Sequence, residues 1–329
     1  MNTINRLLII RLSSLGDILL TTPVIRALKI KFPSAKIDFL LREEYEDTLK
    51  YNSNLNNKIL LKRDYDVDEL VRELKENNYD MVIDLQNNGR SRAITKKIGV
   101  KSLKYKKNNW QKFLLVKFNL QSNSKPRLVP ERYANAIPGL QLDNKGLDLF
   151  LPDNLTKSLV DEYKYIGLCP GSRHFTKKYP EEYFVELGKT ILDSGRQVVL
   201  FGGSDDLEVN DRLHSNLTGS INLSNNNDLL QTANDMKFCE AIICNDSGLM
   251  HTATAVGVPV VAIFGSTVTD FGFAPYNNPN LILENKLLNC RPCSHIGRSN
   301  CPKHHFKCMK EIYPHLVFES LTKLLGKNV

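Results

Sequence analysis

The sequence predicts an α/β chain of two consecutive parallel-sheet domains, and three observations carry that prediction. The chain has 329 residues, more than one ordinary core holds and enough for two domains of roughly 150 residues each. Each half alternates apolar runs of strand length with segments of helical periodicity, the β-α-β pattern of a parallel sheet covered by helices. Between the halves, Asp143–Thr156 (DNKGLDLFLPDNLT) gathers Asn, Gly, Asp and Pro, the composition of a linker. The domains are therefore expected over residues 1–155 and 156–329.

In the first half, strands are expected at Leu7–Ile10, Ile37–Leu41, Lys58–Leu61 and Met81–Asp84, with helices around Pro23–Lys31, Glu43–Lys50 and Val67–Glu76. Asp64, Asp66 and Asp68 stand just before the last of these helices. Asp66 followed by Glu69 fits a capping box, so the run is read as a helix start and not as a metal-binding D-x-D. The second half gives strands at Tyr165–Leu168, Gln197–Phe201, Ala241–Cys244 and Val258–Phe264. Helices are expected between them at Glu181–Asp193, Leu207–His214 and Leu249–Val256. Pro314–Leu325 reads as an amphipathic helix that arrives after the second unit is complete.

With 42% apolar and 24% charged residues the composition is globular, and the apolar runs fall well short of the roughly 18 residues of a membrane helix. The N-terminal apolar run is shorter than a signal-peptide core and leads into an Asp-containing turn, so the chain is expected in the cytoplasm. Seven cysteines there imply free thiols or a metal site. The formal charge is +8 and uneven. From Leu85 to Pro130 stand Arg90, Arg92, Lys96, Lys97, Lys101, Lys104, Lys106, Lys107, Lys112, Lys117, Lys125 and Arg127 without one acid, while the remainder is net acidic. Such a field suits nucleic acid, an anionic membrane face or a phosphorylated substrate, or is simply a solvated surface. A single Trp and the absence of a nucleic-acid fold signature speak against nucleic acid.

Four stretches could carry chemistry. In IICNDSGLMHTATAVGVP a strand ends in the turn Asn245-Asp246-Ser247-Gly248 and opens a helix with His251 in its first turn. A helix N-terminus offers unpaired N–H groups to a phosphate, Gly248 allows close approach and Ser247 could donate; ordinary capping by Asp246 or Ser247 is the simpler reading. In RLSSLGDILLTTP the first strand ends in Ser13-Ser14-Leu15-Gly16-Asp17, where ligands of open parallel sheets bind, and Asp17 is either a cap or an acid–base group. In IGLCPGSRHFTKKYP a loop gathers Ser172, Arg173, Thr176, Lys177 and Lys178 before Pro180, and Gly202 and Gly203 mark a further close approach. No G-x-G-x-x-G follows either first strand, which disfavours a tightly held NAD or FAD. The fourth stretch, CRPCSHIGRSNCPKHHFKC, sets Cys290, Cys293, Cys301 and Cys308 near His295, His304 and His305. It is a candidate structural zinc site whose second pair is spaced more widely than usual, or a thiol-rich loop.

Taken together and in order, RLSSLGDILLTTPVIRALK, DLQNNGRS (Asp84–Ser91), ERYANAIPGL (Glu131–Leu140), PGSRHFTKKYP, NDSGLMHTATAVGVPVVAIFGST and the late CRPC-to-CM segment resemble glycosyltransferase family 9, the heptosyltransferases of the lipopolysaccharide inner core. The resemblance implies the GT-B architecture: two Rossmann-like domains with parallel sheets facing a cleft, the first binding the acceptor and the second the nucleotide sugar. It also implies that the C-terminal helix, about 314–326, crosses back to pack on the first domain. It implies an inverting transfer of heptose from ADP-heptose to an anionic lipopolysaccharide-precursor acceptor, with no cofactor required for catalysis. By the same resemblance Asp17 matches the general base, Lys177 a lysine on the diphosphate, and Asp246, Ser247, Gly248 and His251 the donor turn. Gly16, Ser172, Arg173 and Gly203 join the expected donor site, and Arg90 and Arg92 face the acceptor, with peripheral contact at the inner membrane. Tyr179 stands where the family commonly has Trp, and the Cys293–Cys301 loop is long. Another nucleotide-sugar donor, or a sugar-nucleotide epimerase of similar fold, remains as the alternative.

Overall fold

The runs LLII (Leu7–Ile10) and MVI (Met81–Ile83) are apolar and buried at every position, as strands covered on both faces of a parallel sheet must be. The computed structural model describes residues 4–118, 127–226 and 228–326; Lys125 of the basic segment lies outside them. The chain forms two compact units, and of the described residues 4–108 and 127–150 make up the first. Here β1 (Arg6–Ile10), β2 (Lys36–Arg42), β3 (Asn57–Leu61), β4 (Met81–Asp84) and β5 (Lys101–Lys104) pair in parallel in the order β3-β2-β1-β4-β5. Leu8, Ile10, Leu40 and Val82 fill one face against Leu70 and Leu74 of a covering helix and Ile94 of another.

The helices follow the sequence closely where a cap or a stripe marks them. In chain order they are α1 (Leu15–Leu19), α2 (Thr22–Lys31), α3 (Val67–Glu76), α4 (Gly89–Ile98), α5 (Asn109–Phe118) and α6 (Val129–Ala134). Asp66 caps α3 by accepting from the N–H groups of Asp68 (2.6 Å) and Glu69 (2.9 Å), so the acidic run is a helix start. The segment expected to be helical at Glu43–Lys50 is a 3₁₀ turn over Glu43–Thr48. Glu43 would face both Glu46 and Asp47 on an α-helix, and like charges at that spacing oppose it.

The second unit comprises residues 109–118, 151–226 and 228–326 of those described. Its parallel sheet runs β11-β10-β9-β6-β7-β8, from β6 (Tyr165–Cys169), β7 (Gln197–Leu200), β8 (Ile221–Asn222), β9 (Cys239–Asn245), β10 (Val260–Phe264) and β11 (Asn280–Glu284). Its helices are α7 (Glu181–Asp193), α8 (Leu207–Asn216), α9 (Leu229–Met236), α10 (Gly248–Ala255), α11 (Lys307–Lys310) and α12 (Pro314–Gly326). The two sheet faces carry separate apolar clusters, one built on Ile166, Leu168 and Ile243 and the other on Cys169, Val199 and Ile242. Among the described residues no helix is long and apolar enough to cross a membrane.

The terminal helix α12 forms where its periodicity placed it, and its Val317, Leu321 and Leu324 are buried in the second unit's core, against α7, β9, β10 and β11. An amphipathic stripe reports that a face is buried, and here the nearest uncovered apolar surface is that of its own sheet. Conversely α5, from the N-terminal half, belongs to the second unit, where Leu115 packs on Val268 and Phe271. Because Leu321 is 1% exposed, Leu321→Ala should destabilise the second unit by about 2–5 kcal/mol, read as a lowered denaturation midpoint. A loss near zero would mean α12 is not docked there.

Candidate active site

Both sheets reverse strand order beside a central strand, between β1 and β4 in the first unit and between β6 and β9 in the second. Loops leaving a parallel sheet at such a point diverge and open a crevice beyond the carboxyl ends of the strands. The sequence-derived candidates lie on those loops or the helix starts they feed, apart from Gly203, which follows β7, and the cysteines.

In the first unit the crevice is organised by Arg11, which leaves the end of β1 with its side chain almost buried. Its Nε donates to the Ser13 carbonyl (2.9 Å), Nη1 donates to the Leu85 carbonyl (2.9 Å), and Nη2 pairs with Asp17 Oδ1 (2.7 Å). The guanidinium lies 5.7 Å from the ring centre of Tyr133, which meets Tyr105 edge-on at 4.9 Å. Asp17 Oδ2 accepts from the Ser14 hydroxyl (3.0 Å) and, at 3.4 Å, from the Ser14 N–H. Asp17 thus braces the start of α1 while its side chain stays 20% exposed. Gly16 is buried in the same turn, so it sits with Asp17 in the first unit, whereas the other expected donor residues are in the second.

The neighbouring loop is tied to this one by Gln86, whose Oε1 accepts from the N–H groups of Leu12 (3.0 Å) and Ser13 (3.4 Å). Asp84 closes the turn by accepting from the N–H groups of Gln86 (3.0 Å) and Asn87 (2.7 Å) and from the Ser91 hydroxyl (2.9 Å). Arg90 and Arg92 project from the start of α4 into solvent, Arg90 beside the Tyr65 ring (5.8 Å) and Arg92 donating to the Asn88 carbonyl (3.2 Å). Lys107, half-buried, has its ammonium pKa pulled below the usual lysine range, first by burial and then by the charge of Arg11. Arg11, Asp84, Gln86 and Lys107 were not singled out as site residues. A lone Arg between Ile10 and Leu12 is the one signal that could have found Arg11, because a cation in an apolar run needs buried partners.

In the second unit, Lys177 Nζ pairs with Asp246 Oδ2 (2.8 Å), and the Thr267 hydroxyl donates to the same oxygen (2.7 Å). Asn245 fixes both flanking loops: its Nδ2 donates to the Pro170 carbonyl (2.7 Å) and its Oδ1 accepts from the Tyr179 N–H (3.0 Å). Thr176 bridges the loop to the Arg298 backbone and to the Ser266 hydroxyl (2.9 Å). Ser247 is the N-cap residue of α10, yet its side chain makes no capping bond, and its buried hydroxyl has no hydrogen-bond partner among the described residues. The first-turn N–H groups therefore keep no side-chain cap, the condition for receiving an anion. Gly248 opens that helix and His251 is buried in it. Ser172 is half-buried and Arg173 exposed on the β6 loop. Gly203 donates its N–H to Asp206 Oδ2 (3.3 Å), whose carboxyl burial pushes up and which lies where a Cβ on Gly171 would stand. Tyr179 is a core residue here, donating its hydroxyl to the Ile312 carbonyl (2.6 Å).

Among the described residues no three His, Cys, Asp or Glu side chains converge as a metal-holding group. The four-thiolate zinc site is not supported: Cys308 faces the apolar core on α11, where burial pushes its thiol up to about 12, while Cys290 lies 3.8 Å from His305 Nε2. What the fold uses is Arg291 between the first two cysteines. Its Nη2 donates to the carbonyls of Phe264 (3.0 Å) and Thr267 (2.8 Å) and pairs with Glu284 (3.0 Å), and Nε donates to the Gly265 carbonyl. This buried cation shapes the β10 loop that presents Thr267 to Asp246.

Residues 67–304 match the model of glycosyltransferase family 9 (heptosyltransferase). The chain is 26% identical to lipopolysaccharide heptosyltransferase 2 of Salmonella typhimurium, over 98% of this chain and 99% of that one. It is 28% identical to lipooligosaccharide heptosyltransferase 2 of Campylobacter jejuni, over 94% and 96%. Among solved structures it superposes on the E. coli ADP-heptose lipopolysaccharide heptosyltransferase II with a TM-score of 0.75 at 25% identity, covering 98% and 99% of the two chains. A family 9 glycosyl transferase from Veillonella parvula gives 0.81 at 24% identity, covering 99% of each chain. The two parallel-sheet domains are thus the GT-B architecture.

Removing one member of a buried ion pair leaves the other uncompensated, at a cost of about 3–5 kcal/mol. Arg291→Ala should therefore destabilise the second unit by that amount in denaturant unfolding. A loss below about 1 kcal/mol, the value of an exposed pair, would show that Arg291 does not brace the β10 loop.

Proposed function

We propose, since the chain belongs to glycosyltransferase family 9 (heptosyltransferase), that it moves a heptose from ADP-heptose onto a hydroxyl of an anionic lipopolysaccharide inner-core acceptor, with inversion at the anomeric carbon. The acceptor is read as a lipid precursor met at the cytoplasmic face of the inner membrane. The observation that carries the donor half of this reading is the uncapped start of α10 beside the Lys177–Asp246 pair. A helix N-terminus and an ammonium together suit a diphosphate.

In this reading the acceptor oxygen bonds to the anomeric carbon as the bond to ADP breaks, and the hydroxyl proton passes to Asp17. Lys177 and the α10 N-terminus meet the negative charge that grows on the departing diphosphate, so they stabilise the transition state more than the ground state. No metal or cofactor enters the reaction as proposed. Asp246, whose Oδ2 is already occupied by Lys177 and Thr267, retains Oδ1 to accept from a donor hydroxyl. Arg90 and Arg92, exposed on the acceptor-binding unit, suit phosphate or carboxylate groups of the acceptor.

Asp17→Asn should lower kcat with ADP-heptose and a truncated core acceptor by about 10²–10⁴-fold, measured as released ADP and product mass, with ADP affinity unchanged by calorimetry. Turnover within tenfold of the native chain would remove Asp17 from the base role. Lys177→Ala should weaken ADP binding by roughly 10–100-fold, the worth of a charge-assisted hydrogen bond. Full activity with a different nucleotide sugar, and none with ADP-heptose, would overturn the donor assignment.

A further inference from the structure

On α5 the side chains divide sharply. At about 100° per residue, Leu115 and Val116 point to one side and pack on Val268, Phe271 and Phe273 of the second unit. Trp110, Phe113, Lys117 and Phe118 fall together on the other side. There Trp110 is 70%, Phe113 48% and Phe118 58% exposed. The rings touch one another, Trp110 stacking on Phe113 at 5.6 Å and Phe113 meeting Phe118 edge-on at 6.3 Å. They form one continuous patch on a helix whose opposite side is anchored.

Clustered exposed aromatics of this size mark an interaction surface, and their surroundings state its chemistry. Lys117 stands within the patch, in a stretch of sequence that holds no acid from Leu85 to Pro130. Aromatic rings with a lysine among them, on a segment that carries no acid of its own, match the boundary layer of an anionic bilayer, where rings enter the headgroup region and an ammonium group meets lipid phosphates. Reversible attachment of this kind needs an apolar and a basic component together, and α5 supplies both.

We infer that the exposed face of α5 is a docking surface for an anionic lipid bilayer, seated through Trp110, Phe113 and Phe118 and steered by Lys117. This deepens the lipid-acceptor reading above, and it is tested without donor or acceptor, so that either can fail alone. Trp110 is the single Trp of the chain, which makes intrinsic tryptophan fluorescence a direct report on this helix. Titrating the full chain with phosphatidylglycerol–phosphatidylethanolamine vesicles should shift the emission to the blue. Brominated acyl chains should quench it, while pure phosphatidylcholine vesicles should leave it nearly unchanged. Raising the salt should weaken the partition. Lys117→Glu, on an exposed side chain that keeps the fluorophore, should weaken partition roughly 25-fold, at about fivefold for each of the two charges altered. The Phe113→Ser/Phe118→Ser double variant should abolish the shift. No shift and no cosedimentation with anionic vesicles would overturn the inference. So would a blue shift that tracks protein concentration without lipid, the mark of a second copy, or a response to an RNA oligonucleotide with none to vesicles.

Discussion

A carboxylate paired with a largely buried cation stands at the open end of the central strands in each unit, Asp17 with Arg11 in the first and Asp246 with Lys177 in the second. Withdrawing two ions from water costs several kcal/mol apiece, and their mutual attraction does little more than offset that cost. Net stability therefore does not explain why both units retain such a pair. What the pair secures is geometry: the carboxylate is fixed relative to the strand that bears it, by Arg11 and Ser14 at Asp17 and by Lys177 and Thr267 at Asp246. Arg11 does this in the first unit by joining the Ser13 and Leu85 carbonyls, from the two loops that flank the switch point, to Asp17.

The two carboxylates are held differently, in keeping with the different roles proposed for them. An ionised carboxylate offers about four acceptor positions. Asp17 uses both oxygens, one on Arg11 and the other on Ser14, and still has room for one further donor on a partly exposed side chain. That is the requirement for taking a proton from a hydroxyl that arrives from solution. Asp246 is buried, and both of its described partners converge on one oxygen. Its other oxygen accepts nothing among the described residues, which suits recognition of a bound hydroxyl more than proton transfer. Arg291 contributes at one remove, since it orders the backbone from Phe264 to Thr267 and so aims the Thr267 hydroxyl.

How far these features are legible in the sequence depends on whether their cause is local. Asp66 was readable because a cap acts within three residues of itself. The alternation of buried strands and helices was readable for the same reason, as were the turns at Asp17 and Asp246. Arg11 and Arg291 were not, because each draws its meaning from carbonyls contributed by other parts of the chain, Leu85 for one and Phe264 and Thr267 for the other. The cysteines drew attention to CRPC by their spacing, although the residue that the fold employs there is the arginine between them. For α12 the periodicity marked which face is buried and could not say against which sheet. The two-residue strand β8 lies at a sheet edge with no stripe long enough to announce it.

The acid-free stretch from Leu85 to Pro130 reads as one feature in the sequence and becomes two in the fold. Arg90, Arg92, Lys96 and Lys97 lie on α4 in the first unit, while Lys112 and Lys117 lie on α5 in the second. A single solvated surface gives no reason to exclude acids from both, because mixed charges are ordinarily the more stable and soluble arrangement. Two surfaces that each met a phosphate-bearing partner, as proposed, would give that reason for the segment itself, although Asp68 of α3 already pairs with Lys97 on the first of them. The aromatic rings separate the two cases further. Arg90 lies beside a single ring, that of Tyr65, and Arg92 donates to the Asn88 carbonyl, whereas Lys117 shares its face with Trp110, Phe113 and Phe118, as suits a bilayer. On the proposed reading one basic segment serves recognition on one unit and attachment on the other, and the absence of acid from the whole run follows from both.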